Sequence, residues 1–174
     1  MRINKRWLWI IALCLIILLC IYVNHQNTEK DVKVFSSNKN IKIYEGNCIF
    51  KEIMKDTNLD NLVYIKNHNK INIAFSKNHY DDVKVTEYIL DSNGGYKYST
   101  NQNAKEQELE EKGNTIIFEI KPNYITMFSS NGKDYDKGKT IKGYNLECKK
   151  NGTVKNYSFI IKGDAAIINK SSEK

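Results

Sequence analysis

The chain has 174 residues, with 27 Lys and Arg against 20 Asp and Glu and a formal net charge of +7. Three basic residues, Arg2, Lys5 and Arg6, precede the first apolar run, which leaves 24 lysines against 20 acids, a surplus of +4, and no Arg after it. Acids and lysines alternate throughout the remainder, whereas a nucleic-acid binder clusters its charge and uses Arg, so nucleic acid is excluded as a partner.

Residues 1–6 read as a cytoplasmic tail and 7–23, WLWIIALCLIILLCIYV, as an uncleaved transmembrane anchor. Seventeen uncharged residues are just enough to span a bilayer, and only a helix satisfies its own backbone there. The basic residues before the span place the N-terminus inside, and Trp7, Trp9 and Tyr22 fall at the two interfaces. A cleaved signal peptide has a shorter apolar core and a small-x-small site, and neither is present. Cys14 and Cys20 read as apolar members of the span. Residues 24–40, polar and aperiodic, read as a stalk reaching about 20–25 Å as a flexible coil. Residues 41–168 then form one domain outside the membrane, and 169–174 a short tail.

Strand patterns dominate that domain. INIAF (71–75) alternates, with Ile71, Ile73 and Phe75 on one face. DVKVTEYIL (82–90) alternates through Val83 and Val85 and then meets Glu87-Tyr88, where a bulge would change the face. TIIFEI (115–120) is β-branched and aromatic between Gly113-Asn114 and Pro122-Asn123. Before these, paired apolar residues Ile49-Phe50 and Ile53-Met54 predict one or two helical turns capped by Asn47. AKEQELEEKG (104–113) has only Leu109 to bury and reads as a loop with a frayed turn.

Asn151-Gly152 suits a two-residue type I′ turn. That turn sets Lys150 opposite Thr153, Cys148 opposite Lys155, Leu146 opposite Tyr157 and Tyr144 opposite Phe159. The apolar pairs then share one face, and Asn145, Ser158, Glu147 and Asn156 share the other. GYNLEC, this hairpin and YSFIIKG resemble the last two strands of an immunoglobulin-like domain. Tyr144-x-Leu146-x-Cys148 is similar to that family's Tyr-x-Cys strand, with Tyr four positions before Cys instead of two. VKVTEY resembles its third strand, with Tyr88 in place of Trp. The resemblance implies an all-β, antiparallel immunoglobulin-like β-sandwich over roughly 41–168. Preceded by its anchor, it is similar to the ectodomain of a small membrane protein of Gram-positive type. The family implies no single activity.

Chemistry is sparse. A nucleophilic Cys148 would need a positioned base, but His25 lies in the stalk, and His68 and His79 lie in turns. Cys48 and Cys148 are the two cysteines outside the span. Read as an even pair they form a disulfide, stabilising by about 4–5 kcal/mol in the chain-entropy model; the alternative is two separate buried thiols. Asp134 and Asp136 before Gly138 lack the further ligands of a calcium loop, and the histidines have no zinc spacing, so neither metal nor cofactor is expected. Tyr96 and Tyr98, two apart, together with Lys149, Lys150 and Lys155, are the candidate interaction surface. The expected function is non-catalytic binding of a nearby membrane or envelope protein. The alternative is an anionic cell-wall polymer held by surface lysines.

Overall fold

The structure is a computed structural model that describes Cys14 and residues 31–47, 49–76 and 80–166. Apart from Cys14, the expected tail and anchor (1–23) lie outside the described residues, as do Cys48, His25, His79 and 169–174. Among the described residues no helix is long and apolar enough to cross a membrane. The chain divides into two units, Met1–Asp31 and Val32–Lys174, and every strand among the described residues belongs to the second.

The strands are β1 (Val32–Ser36), β2 (Lys39–Ile41), β3 (Ile43–Glu45), β4 (Lys70–Phe75), β5 (Asp82–Leu90), β6 (Lys105–Glu106), β7 (Glu110–Lys112), β8 (Thr115–Glu119), β9 (Thr140–Lys150) and β10 (Thr153–Gly163). They form two antiparallel sheets, β2-β1-β4-β8-β7 and β3-β10-β9-β5-β6, and so an all-β sandwich. The orders β1-β4-β8-β7 and β6-β5-β9-β10 are compatible with an immunoglobulin-like arrangement.

Alternation buries one face of each sheet against the other. Ile71, Ile73 and Phe75 of β4 and Ile116 and Phe118 of β8 meet Tyr144, Leu146 and Cys148 of β9 and Tyr157, Phe159 and Ile161 of β10. The Tyr144 ring stacks on Phe159 at 4.9 Å and reaches Phe118 of the opposite sheet at 5.5 Å. The β9-β10 hairpin has the register that its turn dictates, from Lys150 opposite Thr153 through Tyr144 opposite Phe159. Asn151 and Gly152 both take positive φ, 48° and 78°, which type I′ geometry requires.

A second apolar cluster lies on the outer face of the β3-β10-β9-β5-β6 sheet. Helix α1 (Phe50–Lys55) sets Phe50, Ile53 and Met54 against Leu90, Ile141 and Ile160. Gly143 makes this contact close, because a Cβ there would lie 2.9 Å from the Phe50 ring.

Several expectations are corrected. β1 falls inside the segment expected as stalk, with Val32 and Val34 buried against β4, so the sheet begins at Val32 instead of Ile41. β5 pairs with β9 without interruption from Asp82 to Leu90, so Glu87 stays on the inner face and no bulge occurs. Tyr88 consequently points outward to α1 and does not occupy the inter-sheet place of a core Trp. Helix α1 has Ile49 at its N-cap and no side-chain cap, and the Asn47 oxygen accepts instead from Asn156 Nδ2 at 2.7 Å. The 104–113 segment forms β6 and β7, two short charged edge strands. Such edges discourage pairing with other chains.

Candidate functional site

The connection from β8 to β9 (120–139) is the long elaboration of one end of the sandwich, and a buried ionic cluster holds its start. Glu87 of β5 and Lys142 and Tyr144 of β9 point between the sheets and are each 0% exposed. Tyr144 Oη donates to Glu87 Oε2 at 2.6 Å, and Lys142 Nζ stands 3.5 Å from the same oxygen. The other carboxylate oxygen accepts from Asn123 Nδ2 at 2.8 Å, and Lys142 Nζ donates to the Lys121 carbonyl at 3.4 Å. Burial pushes the Lys142 ammonium below the usual lysine range, partly offset by Glu87. Burial also raises the Tyr144 phenol, and the neighbouring carboxylate adds to this. A buried charge is tolerated only when paired and hydrogen-bonded, and here the pairing ties 121–123 to the sheet.

Asn123 then caps a 3-10 turn, Tyr124–Phe128, accepting from the Ile125 amide at 3.3 Å. The buried Thr126 hydroxyl donates to the Asn123 carbonyl at 2.7 Å and accepts from the Ala166 amide at 2.8 Å. Further along, Tyr135 Oη meets the carbonyls of Met127 and Ser129, and the Gly138 amide donates to Asp164. Asp164 in turn accepts from the Tyr64 hydroxyl, and burial followed by that carboxylate raises the phenol to about 12. On this pinned backbone Tyr124 is 71% and Phe128 82% exposed, the two most exposed large hydrophobic side chains among the described residues. Beside the turn opens a cleft of about 380 Å³, lined by Lys97, Tyr98, Thr126, Ser129 and Asp134 among others. Asp134 pairs there with Lys97 and Ser129, which outweigh burial and hold its carboxyl below the usual range.

The sequence-derived candidates are not one surface. Tyr98 lines this cleft, whereas Tyr96 lines a different one on the outer sheet face. Lys149, Lys150 and Lys155 flank the β9-β10 turn, at the opposite end of β9 from the aromatic turn. Asp134 is engaged by Lys97 and Ser129, and no metal-binding group occurs among the described residues. Cys148 is a free, fully buried thiol facing the inter-sheet core, with no disulfide among the described residues, and Cys48 lies outside them. Burial, then Glu147, raises this thiol to about 12. His68 is exposed and meets Glu119 at 2.8 Å. Sequence reasoning missed Glu87, Lys142, Tyr124 and Phe128. The signal for the first two was that strict alternation carries both to the inner face.

Compared with models of protein families, with curated proteins and with solved structures, the chain matches none.

Proposed function

We propose that the chain is a non-catalytic, membrane-anchored binding module that engages a neighbouring membrane or envelope protein through the Tyr124–Phe128 turn. In this reading residues 7–23 anchor it with the N-terminus inside, and an immunoglobulin-like sandwich stands on the outer side. The two strand orders support the immunoglobulin-like assignment.

The observation that carries the proposal is the pair Tyr124 and Phe128, held in solvent by a turn that buried bonds fix in place. Exposed aromatics on a preorganised backbone have already lost the freedom that binding would remove. Aromatic anchors of this kind dominate interface energetics. Exposed Lys133, Lys137 and Lys139 follow in the same connection, so an apolar socket with an acidic rim is the complementary surface. Catalysis is disfavoured because Cys148 is sealed and keeps its proton. The anionic-polymer reading lacks a comparable observation, since Lys70 and Lys112 both meet Glu110, Lys84 meets Glu106 and Lys121 meets Glu108.

The test is native-gel migration of the full-length chain after mild solubilisation from its own membranes. The wild type should run as a complex heavier than the free chain, and Tyr124→Ser/Phe128→Ser should run as the free chain. Identical migration of the two would refute the proposal.

A further inference from the structure

Helix α1 covers only half of the outer face of the β3-β10-β9-β5-β6 sheet. It sits over Gly143, and toward the Asn151-Gly152 turn the face opens into a cleft of about 520 Å³. The floor consists of two cross-strand rows, Lys84–Glu147–Asn156 and Thr86–Asn145–Ser158. Tyr88 and Tyr96 line it on the side toward α1. Tyr96 is 47% exposed, and its ring is held 5.1 Å from Tyr88 and edge-on to Phe50 at 6.2 Å.

The hydrogen-bonding groups of the floor are already oriented. Ser158 Oγ donates to Asn145 Oδ1 at 3.0 Å, and Asn156 Nδ2 donates to Asn47 Oδ1 at 2.7 Å. Those bonds use Asn145 through its oxygen and Asn156 through its nitrogen, so a donor remains on the first and an acceptor on the second. Lys84 and Glu147 are cross-strand neighbours of opposite sign, and the Lys84 ammonium also meets Glu106 of β6 at 3.5 Å, so the floor has no surplus of positive charge.

We propose that this cleft is a binding site for a short, uncharged oligosaccharide. A sugar ring combines an apolar C–H face with a rim of hydroxyls that both donate and accept. The cleft offers the matching pair of surfaces, a tyrosine ring beside alternating amide, hydroxyl and charged groups of balanced sign. Its volume lies within the range typical of small-ligand sites. An anionic polymer would meet Glu147, and an apolar segment would leave the floor amides unpaired, which costs more than their bonds contribute. The site does not involve the Tyr124–Phe128 turn, so it stands or falls independently of the proposed protein partner.

The test is calorimetric titration of the full-length protein, in a zwitterionic detergent without a sugar headgroup. The probes are cellotriose, maltotriose, mannotriose and chitotriose, with trigalacturonate as the anionic comparison. At least one uncharged trisaccharide should bind saturably at one site per chain. Tyr96→Ala and Asn156→Ala should each weaken it by about tenfold, while Phe128→Ser leaves it unchanged. Should Tyr96→Ala lower the melting temperature, Asn156→Ala at the half-buried floor carries the comparison. Absence of binding by all four uncharged probes, preference for trigalacturonate, or equal affinity in the Asn156→Ala variant overturns the proposal.

Discussion

Glu87 interrupts an apolar alternation, and at the scale of single residues it is the most informative position in the chain. In sequence it reads as the place where a strand changes face, because Val83 and Val85 precede it and Tyr88 follows. Its inward direction depends on Lys142 and Tyr144, which stand 55 and 57 positions away and supply the partners that make burial tolerable. Local polarity therefore could not reveal it. Glu87→Gln removes the counter-charge of a fully buried lysine and should destabilise by about 3–5 kcal/mol in urea unfolding. Glu87→Leu/Lys142→Met removes both charges but leaves the Tyr144 hydroxyl and the Asn123 amide without their acceptor, so it should recover only part of that loss. A cost below about 1 kcal/mol for the single variant would show that the pair is not the constraint described.

Cys148 supplies a second residue-scale prediction. Its folded-state pKa, about 12, lies above its ordinary value of 9.0. The folded state therefore binds more protons between those values, and its stability is full below pH 9 and falls as pH climbs toward 12. Lys142 has the opposite sign, because its lowered pKa makes stability rise toward 10.5. Comparison with Cys148→Ala isolates the thiol, and the melting temperature of that variant should fall less steeply between pH 9 and 10. The same burial predicts that iodoacetamide modifies Cys148 only in denaturant, read by peptide mass spectrometry.

At the scale of elements, the hairpin and the sheets were legible, and the edges and the aromatic turn were not. Asn151-Gly152 specifies its turn chemically, and one register alone puts Leu146, Tyr157, Tyr144 and Phe159 together. Edge strands such as β6 and β7 carry charged residues on both faces, so their sequence has no period to read. The Tyr124–Phe128 turn is hard to read for a different reason. Tyr, Ile, Met and Phe in five positions suggest core, and exposure depends on which backbone groups Asn123 and Thr126 engage. Asn123 after Pro122 was the available signal for a capped turn. Gly143→Ala tests how tightly α1 is seated. The added methyl meets the Phe50 ring, and the variant should lose about 1–3 kcal/mol through displacement of α1.

At the scale of the molecule, the two sheets each end in strands of two or three residues, β2 and β7 in one and β3 and β6 in the other. Edge pairing with a partner chain is thereby discouraged, and the proposed binding is accordingly assigned to the loops and the open sheet face. The long β8-β9 connection gives one end of the sandwich an anchored aromatic display, and the cluster under it gives that display its rigidity. Surface changes there should be nearly silent for folding. Tyr124→Ser/Phe128→Ser should shift unfolding free energy by no more than about 0.5 kcal/mol. The apolar run at 7–23, expected as an anchor, was the plainest signal in the sequence, and it lies outside the described residues apart from Cys14.

The most direct measurement is in-cell photo-crosslinking with benzoylphenylalanine at position 128, compared with position 114 in the exposed turn before β8. The account predicts one recurrent adduct to a different membrane or envelope protein from position 128 and none from 114. Absence of an adduct at 128, the same products from both positions, or an adduct only to a second copy of the chain would contradict it.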